Sequence, residues 1–264
     1  MRVITLITDF GLKDGNVGVM KGVIWGIAPR AQIADISHLI TPQNVPEAAL
    51  VLLRSALYFP PETIHLVVVD PGVGTARRAM AAQVGPYYYV GPDNGTLTLL
   101  WERARQLNWA LSCVHLDQKQ YWLPEVSHVF HGRDIFAPVA AHLANGTALS
   151  ELGRHFDDPV LLDLPPPQRT AQGWRGEVIH VDHFGNLATN IRLEHLGQAE
   201  NVVLRLAGVE VDGLVQTFGD RPPGSLVALY GSTGSLLVCM VNGNAAEHLR
   251  AGPGAVVEVI LQKT

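Results

Sequence analysis

Short apolar runs alternate with stretches of helical period through the first part of the chain. Residues 3–8 make a run that predicts a strand, with Asp9 at its end. Val17, Met20, Val23, Ile24 and Ile27 then recur at helical spacing, predicting a helix over 16–27 that Pro29 stops. Residues 32–36 predict a short strand. Thr41-Pro42 has the form of an N-cap followed by a first-turn proline, predicting a helix that runs on through 47–58 to Pro60-Pro61. The run 64–69 carries Asp70 at its lip, and strands follow over 78–84 and 87–90 with a turn at Gly85-Pro86. Gly91 to Gly95 reads as a turn, 97–104 as a helix, 111–116 as a strand, and Phe130 to Asp134 as the lead into a helix reaching Leu143. Strands alternating with helices predict an α/β domain with a mostly parallel central sheet.

The pattern changes after Pro165-Pro166-Pro167, because three prolines can join neither a central strand nor a helix interior. Beyond them 177–182, 202–206, 226–229, 235–241 and 255–261 are strand-like, separated by glycine-rich turns, and only 193–196 and 245–251 look helical. The expected organisation is an N-terminal α/β domain over 1–163, a proline-rich linker over 164–173 and a smaller C-terminal all-β barrel over 174–264.

Composition narrows the function classes. The chain has 264 residues, 47% hydrophobic and 16% charged, enough for a sizeable core. Its net charge of −5, with no long basic run, argues against nucleic acid as a partner. No apolar stretch is long enough to span a bilayer, and Met1-Arg2 leads into a strand rather than a secretory signal, so no membrane role is expected. Cys113 and Cys239 sit in apolar strand-like runs without metal-ligand spacing. They predict buried free thiols, no metal site and a reducing, cytoplasmic setting.

Three acids stand at strand ends: Asp9, Asp70 and Asp182. The carboxyl ends of strands are where open α/β sheets bind ligands. Arg77 and Arg78 follow Asp70 by seven and eight residues, across a turn loosened by Pro71, Gly72 and Gly74. A guanidinium brought back there would favour the charged carboxylate. A surface ion pair of little energetic weight fits the same spacing. The alternative for Asp9 is a cap on the loop after it, and for Asp182, in Asp182-His183-Phe184-Gly185-Asn186, an Asx turn. His131 opens a helix whose dipole would keep its imidazole neutral, able to accept a proton or bind water. A purely structural histidine reads the same way, and His128 and His183 compete with it. Gly72-Val73-Gly74 lacks the third glycine of a dinucleotide fingerprint. A P-loop, a His-Glu-x-x-His zinc motif and a Gly-x-Ser-x-Gly elbow are all absent.

Six motifs occur in order: 7–11 (Ile-Thr-Asp-Phe-Gly), 70–75 (Asp-Pro-Gly-Val-Gly-Thr), 91–95 (Gly-Pro-Asp-Asn-Gly), 130–138, beginning Phe130-His131-Gly132-Arg133-Asp134, 182–186 and 243–246 (Gly-Asn-Ala-Ala). Together they resemble the S-adenosyl-L-methionine hydroxide adenosyltransferase family, relatives of the fluorinase and the chlorinase. The resemblance spans about Val3 to Glu258. It implies attack of water or hydroxide on C5′ of S-adenosyl-L-methionine, giving adenosine and methionine, with no cofactor. It implies a homotrimer in which one subunit's N-terminal domain meets a neighbour's C-terminal domain at the site. The family's catalytic Asp-Arg-His set falls on Asp70, Arg77 and His131. Asp9 falls on the ribose-diol acid, Asn186 on the adenine-edge amide and Ala245 on a backbone adenine contact, with Phe184 and Phe218 as apolar contacts to the base. Asp182 would meet the methionine ammonium and Ser232 its carboxylate, with Asp14 and Asn16 near the same end.

The halogenase relatives depart at informative positions. Fluorinase has tyrosine where Asp70 and His131 stand, and its halide-binding serine where Gly132 stands. A carboxylate beside the nucleophile site repels a halide, so water is the expected nucleophile. The fluorinase tryptophan beside adenine aligns with Ala188, and its methionine-carboxylate arginine with Thr233. Two alternatives remain from the sequence: an S-adenosyl-L-methionine or adenosine sensor without turnover, and a halide transferase.

Overall fold

The apolar runs of the first 163 residues pair into one seven-stranded mixed sheet in the computed structural model, which describes residues 2–197 and 202–262. The elements are β1 (Val3–Thr8), α1 (Asn16–Ile27), β2 (Gln32–Ser37), α2 (Val45–Ala56), β3 (Ile64–Val68), β4 (Ala79–Val84), β5 (Tyr87–Pro92), α3 (Thr98–Gln106), β6 (Leu111–Leu116), α4 (Ala137–Ala144) and β7 (Gly153–Phe156). A π-helical turn, Gly132–Phe136, runs directly into α4. The strand order is β2-β1-β3-β5-β4-β6-β7. The first four strands are parallel and the last three join antiparallel.

Alternation along the strands divides the core into two layers. Ile4, Leu6, Leu66 and Val68 pack with Met20 and Ile24 of α1 and Val139 and Leu143 of α4. Ile7, Val67, Val69, Met80 and Ala82 pack on the opposite face with Leu52 of α2 and Leu100 of α3. Helices on both faces bury β3 completely, which is why its five residues are an unbroken apolar run apart from His65.

The second compact unit covers 164–264. It comprises β8 (Gln168–Arg169), β9 (Gly173–Val181), β10 (Leu187–Arg192), α5 (Leu193–Leu196), β11 (Val202–Leu206), β12 (Val209–Asp212), β13 (Leu226–Tyr230), β14 (Ser235–Met240), α6 (Ala245–Leu249) and β15 (Val256–Leu261). The antiparallel order is β12-β11-β15-β9-β10-β14-β13, with β8 added on β9. Leu214, just past β12, bridges to Ala228 of β13, so the sheet curls nearly closed around its own core of Val178, Leu187, Leu204, Leu236 and Val259.

Several boundaries differ from the sequence reading. The helix expected from Thr41-Pro42 starts at Val45. Asn44 is the true N-cap, accepting from the Glu47 amide at 3.0 Å, while Glu47 reaches back to the Thr41 amide. Gly91 and Pro92, expected as a turn, extend β5, because Ala79 pairs with Pro92 and Met80 with Gly91. Within the expected linker Gln168 and Arg169 pair with Arg175 and Trp174, and β9 begins at Gly173. Strands β7, β10 and β12 had no counterpart in the apolar pattern.

Candidate active site

Strands β1 and β3 run parallel with Thr8 in register with Val68, so Asp9 and Asp70 both follow strand ends at one edge of the sheet. Asp9 accepts from the Gln43 amide at 2.8 Å. Asp14 is exposed in the loop before α1, and Asn16 is the first residue of that helix. Behind Asp70 the backbone is braced from the neighbouring strand's exit. Asn94 Nδ2 donates to the Val69 carbonyl at 2.9 Å, and its Oδ1 accepts from the Thr96 hydroxyl at 2.7 Å. Gly91 permits the close approach, since a Cβ there would lie 2.4 Å from the Val67 carbonyl.

The loop after Asp70 folds back on itself through bonds from Val73 to the Asp70 carbonyl and from Thr75 to that of Gly72. It returns Arg77 onto the acid. Arg77 Nε donates to Asp70 Oδ1 at 3.0 Å and Oδ2 at 3.1 Å, and Nη2 donates to Oδ2 as well. The Asp70 and Arg77 side chains are 5% and 11% exposed, so this is a desolvated pair and not the surface pair the spacing also allowed. The Phe136 ring lies 5.2 Å from the guanidinium carbon.

Arg77 Nη2 also lies 2.8 Å from His131 Nδ1, across 54 residues of chain. A guanidinium can only donate, so Nδ1 is the acceptor and the neutral ring carries its hydrogen on Nε2. Burial first, then the positive charge of Arg77, hold the His131 pKa below its ordinary value, against the opposing charges of Asp70 and Asp134. His131 precedes a π-helical turn rather than the regular α-helix start expected from the sequence. Gly74 closes the two loops together. Its φ is +76°, and a Cβ there would sit 2.3 Å from the His128 carbonyl.

Arg78 takes no part. Its Nε donates to Asp93 at 2.7 Å and its Nη1 to Asp158 at 2.7 Å, with the guanidinium over the Phe156 ring. The spacing left Arg77 and Arg78 both open, and the one the family resemblance implies, Arg77, is the one that lies against Asp70. Sequence reasoning missed Asn94, Phe136 and Asp134, although all three stand inside quoted motifs.

The remaining candidates lie in the second unit. Asp182, Phe184 and Asn186 form the turn between β9 and β10. The Asp182 carboxylate accepts from the amides of Phe184 and Asn186 at 2.9 Å each, and from Asn186 Nδ2 at 2.8 Å. That is the Asx turn allowed by the sequence, with both carboxylate oxygens engaged. Phe184 stands 72% exposed, while Asn186 is buried. Ala245, also buried, opens α6 behind the N-cap Asn244, and the Ala246 amide donates to Gly185 at 3.0 Å, so motifs 182–186 and 243–246 touch. Phe218 is half-exposed in a short 3₁₀ turn. Ser232 is exposed in the turn between β13 and β14.

An α/β unit with a desolvated acid–guanidinium pair and an adjoining imidazole beyond the ends of its parallel strands, followed by an antiparallel barrel-like unit, defines a class of two-domain proteins. The comparisons give that class a family. Residues 4–153 match the S-adenosyl-L-methionine hydroxide adenosyltransferase N-terminal domain and residues 176–258 its C-terminal domain, and the chain belongs to that family. It is 41% identical over 255 residues to the "(R)-S-adenosyl-L-methionine hydrolase" of Salinispora tropica, covering 95% of each chain. It is 39% identical over 265 residues to the protein of the same name from Thermus thermophilus, covering 98% of this chain and 100% of that one. A solved structure of a conserved protein from Thermotoga maritima superposes with a TM-score of 0.89 at 37% identity, over 98% of this chain and 99% of that one. Proteins named fluorinase match more distantly, at 30% identity and below.

Proposed function

We propose that this protein hydrolyses S-adenosyl-L-methionine, in the (R) form named for its relatives, to adenosine and L-methionine. The observation that carries the reading is the Asp70–Arg77–His131 cluster itself, in which one guanidinium orients both an acceptor and a donor. A water resting there gives one hydrogen to Asp70 and receives a bond from His131 Nε2–H, leaving a lone pair free to attack C5′. The new O–C5′ bond forms as the C5′–S bond breaks, and its electron pair leaves on sulfur as the neutral thioether of methionine. The water proton passes to the Asp70 carboxylate and from there to solvent. No general acid is needed, because the sulfonium is already charged. Catalysis rests on positioning and desolvation.

The substrate contacts follow the family's pattern. Asp9 takes the ribose diol, its free oxygen accepting what Gln43 does not occupy. Asn186 gives one Nδ2 hydrogen to Asp182, so its Oδ1 faces the adenine amino group. The Ala245 backbone makes a second adenine contact, and Phe184 and Phe218 cover the base. Ser232, Asp14 and Asn16 serve the amino-acid end. Asp182 keeps one role there, toward the ammonium, and gains a second in orienting Asn186. We extend the reading to a homotrimer that shares each ligand between two subunits, working in the cytoplasm without cofactor or nucleic acid. The buried thiols of Cys113 and Cys239, each pushed up to about 12 by burial, support a reducing setting. Among the described residues no helix is long and apolar enough to cross a membrane.

Purified protein incubated with separated forms of S-adenosyl-L-methionine tests the reading. Adenosine and methionine in equal amounts from the (R) form are expected, without dependence on chloride or fluoride. Tight adenosine binding with no product over hours would replace the enzyme by a sensor, and an absolute halide requirement would replace water by halide.

A further inference from the structure

Asp134 is fully buried, and no step above uses it. We infer that Asp134 is a positioning residue for His131, acting through Arg133 and the Ser127 amide to hold the π-helical turn where it lays the imidazole against Arg77. The inference rests on the proposed hydrolysis. A buried carboxylate persists only where donors replace its water. Here Arg133 Nε donates at 2.5 Å, Arg133 Nη2 at 3.1 Å and the Ser127 amide at 2.8 Å. The Leu123 amide adds a bond to the Asp134 carbonyl at 2.9 Å. Two points of the preceding loop are thereby fixed to the turn that begins one residue after His131.

The turn is an unusual one. A π-helical turn is a rare departure from the α-helical bonding pattern and occurs mostly as a single-turn bulge, frequently at functional sites. The amides of Arg133 and Asp134 both converge on the Phe130 carbonyl at 3.1 Å. The Arg133 guanidinium, oriented by Asp134, lies 5.1 Å from the centre of the Phe130 ring. Phe130 in turn meets Phe10 edge-on at 5.6 Å, and Phe10 follows Asp9. The fixed loop also presents the His128 carbonyl against Gly74, in the loop that carries Arg77. The buried Asp134 carboxylate and its half-exposed partner Arg133 therefore set His131, the wall beside Asp9 and the seam between the two catalytic loops.

The test uses the full chain with Asp134→Asn, Arg133→Met and Arg133→Lys, assayed for kcat, KM and the pH profile of adenosine formation. Asp134→Asn is expected to lower kcat on the order of 100-fold with KM changed by no more than about twofold. The acid limb of kcat/KM should move to lower pH, because a charge favouring protonated His131 is gone. Arg133→Met should lower kcat as well, and Arg133→Lys should recover part of that loss. A folded Asp134→Asn with wild-type kcat overturns the inference. So does one whose loss equals its unfolded fraction while the acid limb stays in place. If Asp134→Asn fails to fold, the Arg133 variants decide, and a wild-type kcat in Arg133→Met overturns it. A wild-type protein that forms no adenosine overturns the hydrolase reading instead.

Discussion

Arg77 donates to both oxygens of Asp70 and to His131 Nδ1, three acceptors that only a planar fork can serve together. Arg77→Lys keeps the charge but can serve one partner at a time. It is expected to lose about 100-fold or more in kcat while retaining the fold, as steady-state kinetics and circular dichroism would register. The same geometry fixes a pH dependence. Protonating Nδ1 turns an acceptor into a second donor facing the guanidinium, so activity falls as pH drops through the His131 pKa. That pKa is held below the ordinary 6.5 by burial and by Arg77. The acid limb of kcat/KM should therefore lie below pH 6.5 and vanish from the residual activity of His131→Ala. That an arginine returns onto Asp70 was legible because the offset is local and its glycines announce a turn, while the choice of Arg77 over Arg78 came from the family resemblance. The His131 contact was legible only through the family's Asp-Arg-His set, since nothing in the 54-residue separation itself records it. Asp182 illustrates the reverse: its Asx turn was readable, but its second bond to Asn186 Nδ2 required coordinates.

Strand β3 carries the acid into place, and His65 in its middle gives that element a measurable signature. His65 is buried between Phe59 and Tyr87, with Thr5 Oγ1 at 2.8 Å from Nδ1, and burial lowers its pKa to about 4. Between pH 6.5 and about 4 the unfolded chain binds more protons at this site than the folded one. Stability from neutral His65 is thus complete above pH 6.5 and lost as pH falls toward 4, on the order of 3 kcal/mol in all. The Tm gap between wild type and His65→Phe should shrink as pH drops from 7 to 4.5, and a constant gap would contradict the assignment. At the next loop, Gly74→Ala forces a Cβ onto the His128 carbonyl from a left-handed backbone. It is expected to lower both Tm and kcat, readable by calorimetry and turnover. Most elements of the first unit were legible because buried parallel strands are plain apolar runs. Strand β10 was not, because its pairings with β9 and β14 each shift register near Ala188, which erases alternation. Strands β7 and β12 are four residues long, too short for a run of apolar or alternating positions to stand out.

At the scale of the molecule, the break at the prolines of 165–167 marks where one compact unit gives way to the next, and each unit buries its own core. Periodicity revealed that division but not the chemistry, since strand-end acids and a histidine suit many reactions. The ordered set of six motifs supplied the reaction class, and two matching domain families over 4–153 and 176–258 agree with it. The nucleophile is the point on which the whole account turns, because proteins named fluorinase are among the more distant relatives. Turnover of S-adenosyl-L-methionine in heavy-oxygen water tests it most directly, by mass spectrometry of the adenosine formed. One heavy oxygen in the 5′-hydroxyl, absent from methionine, is the predicted result; adenosine without the label would contradict attack of water at C5′.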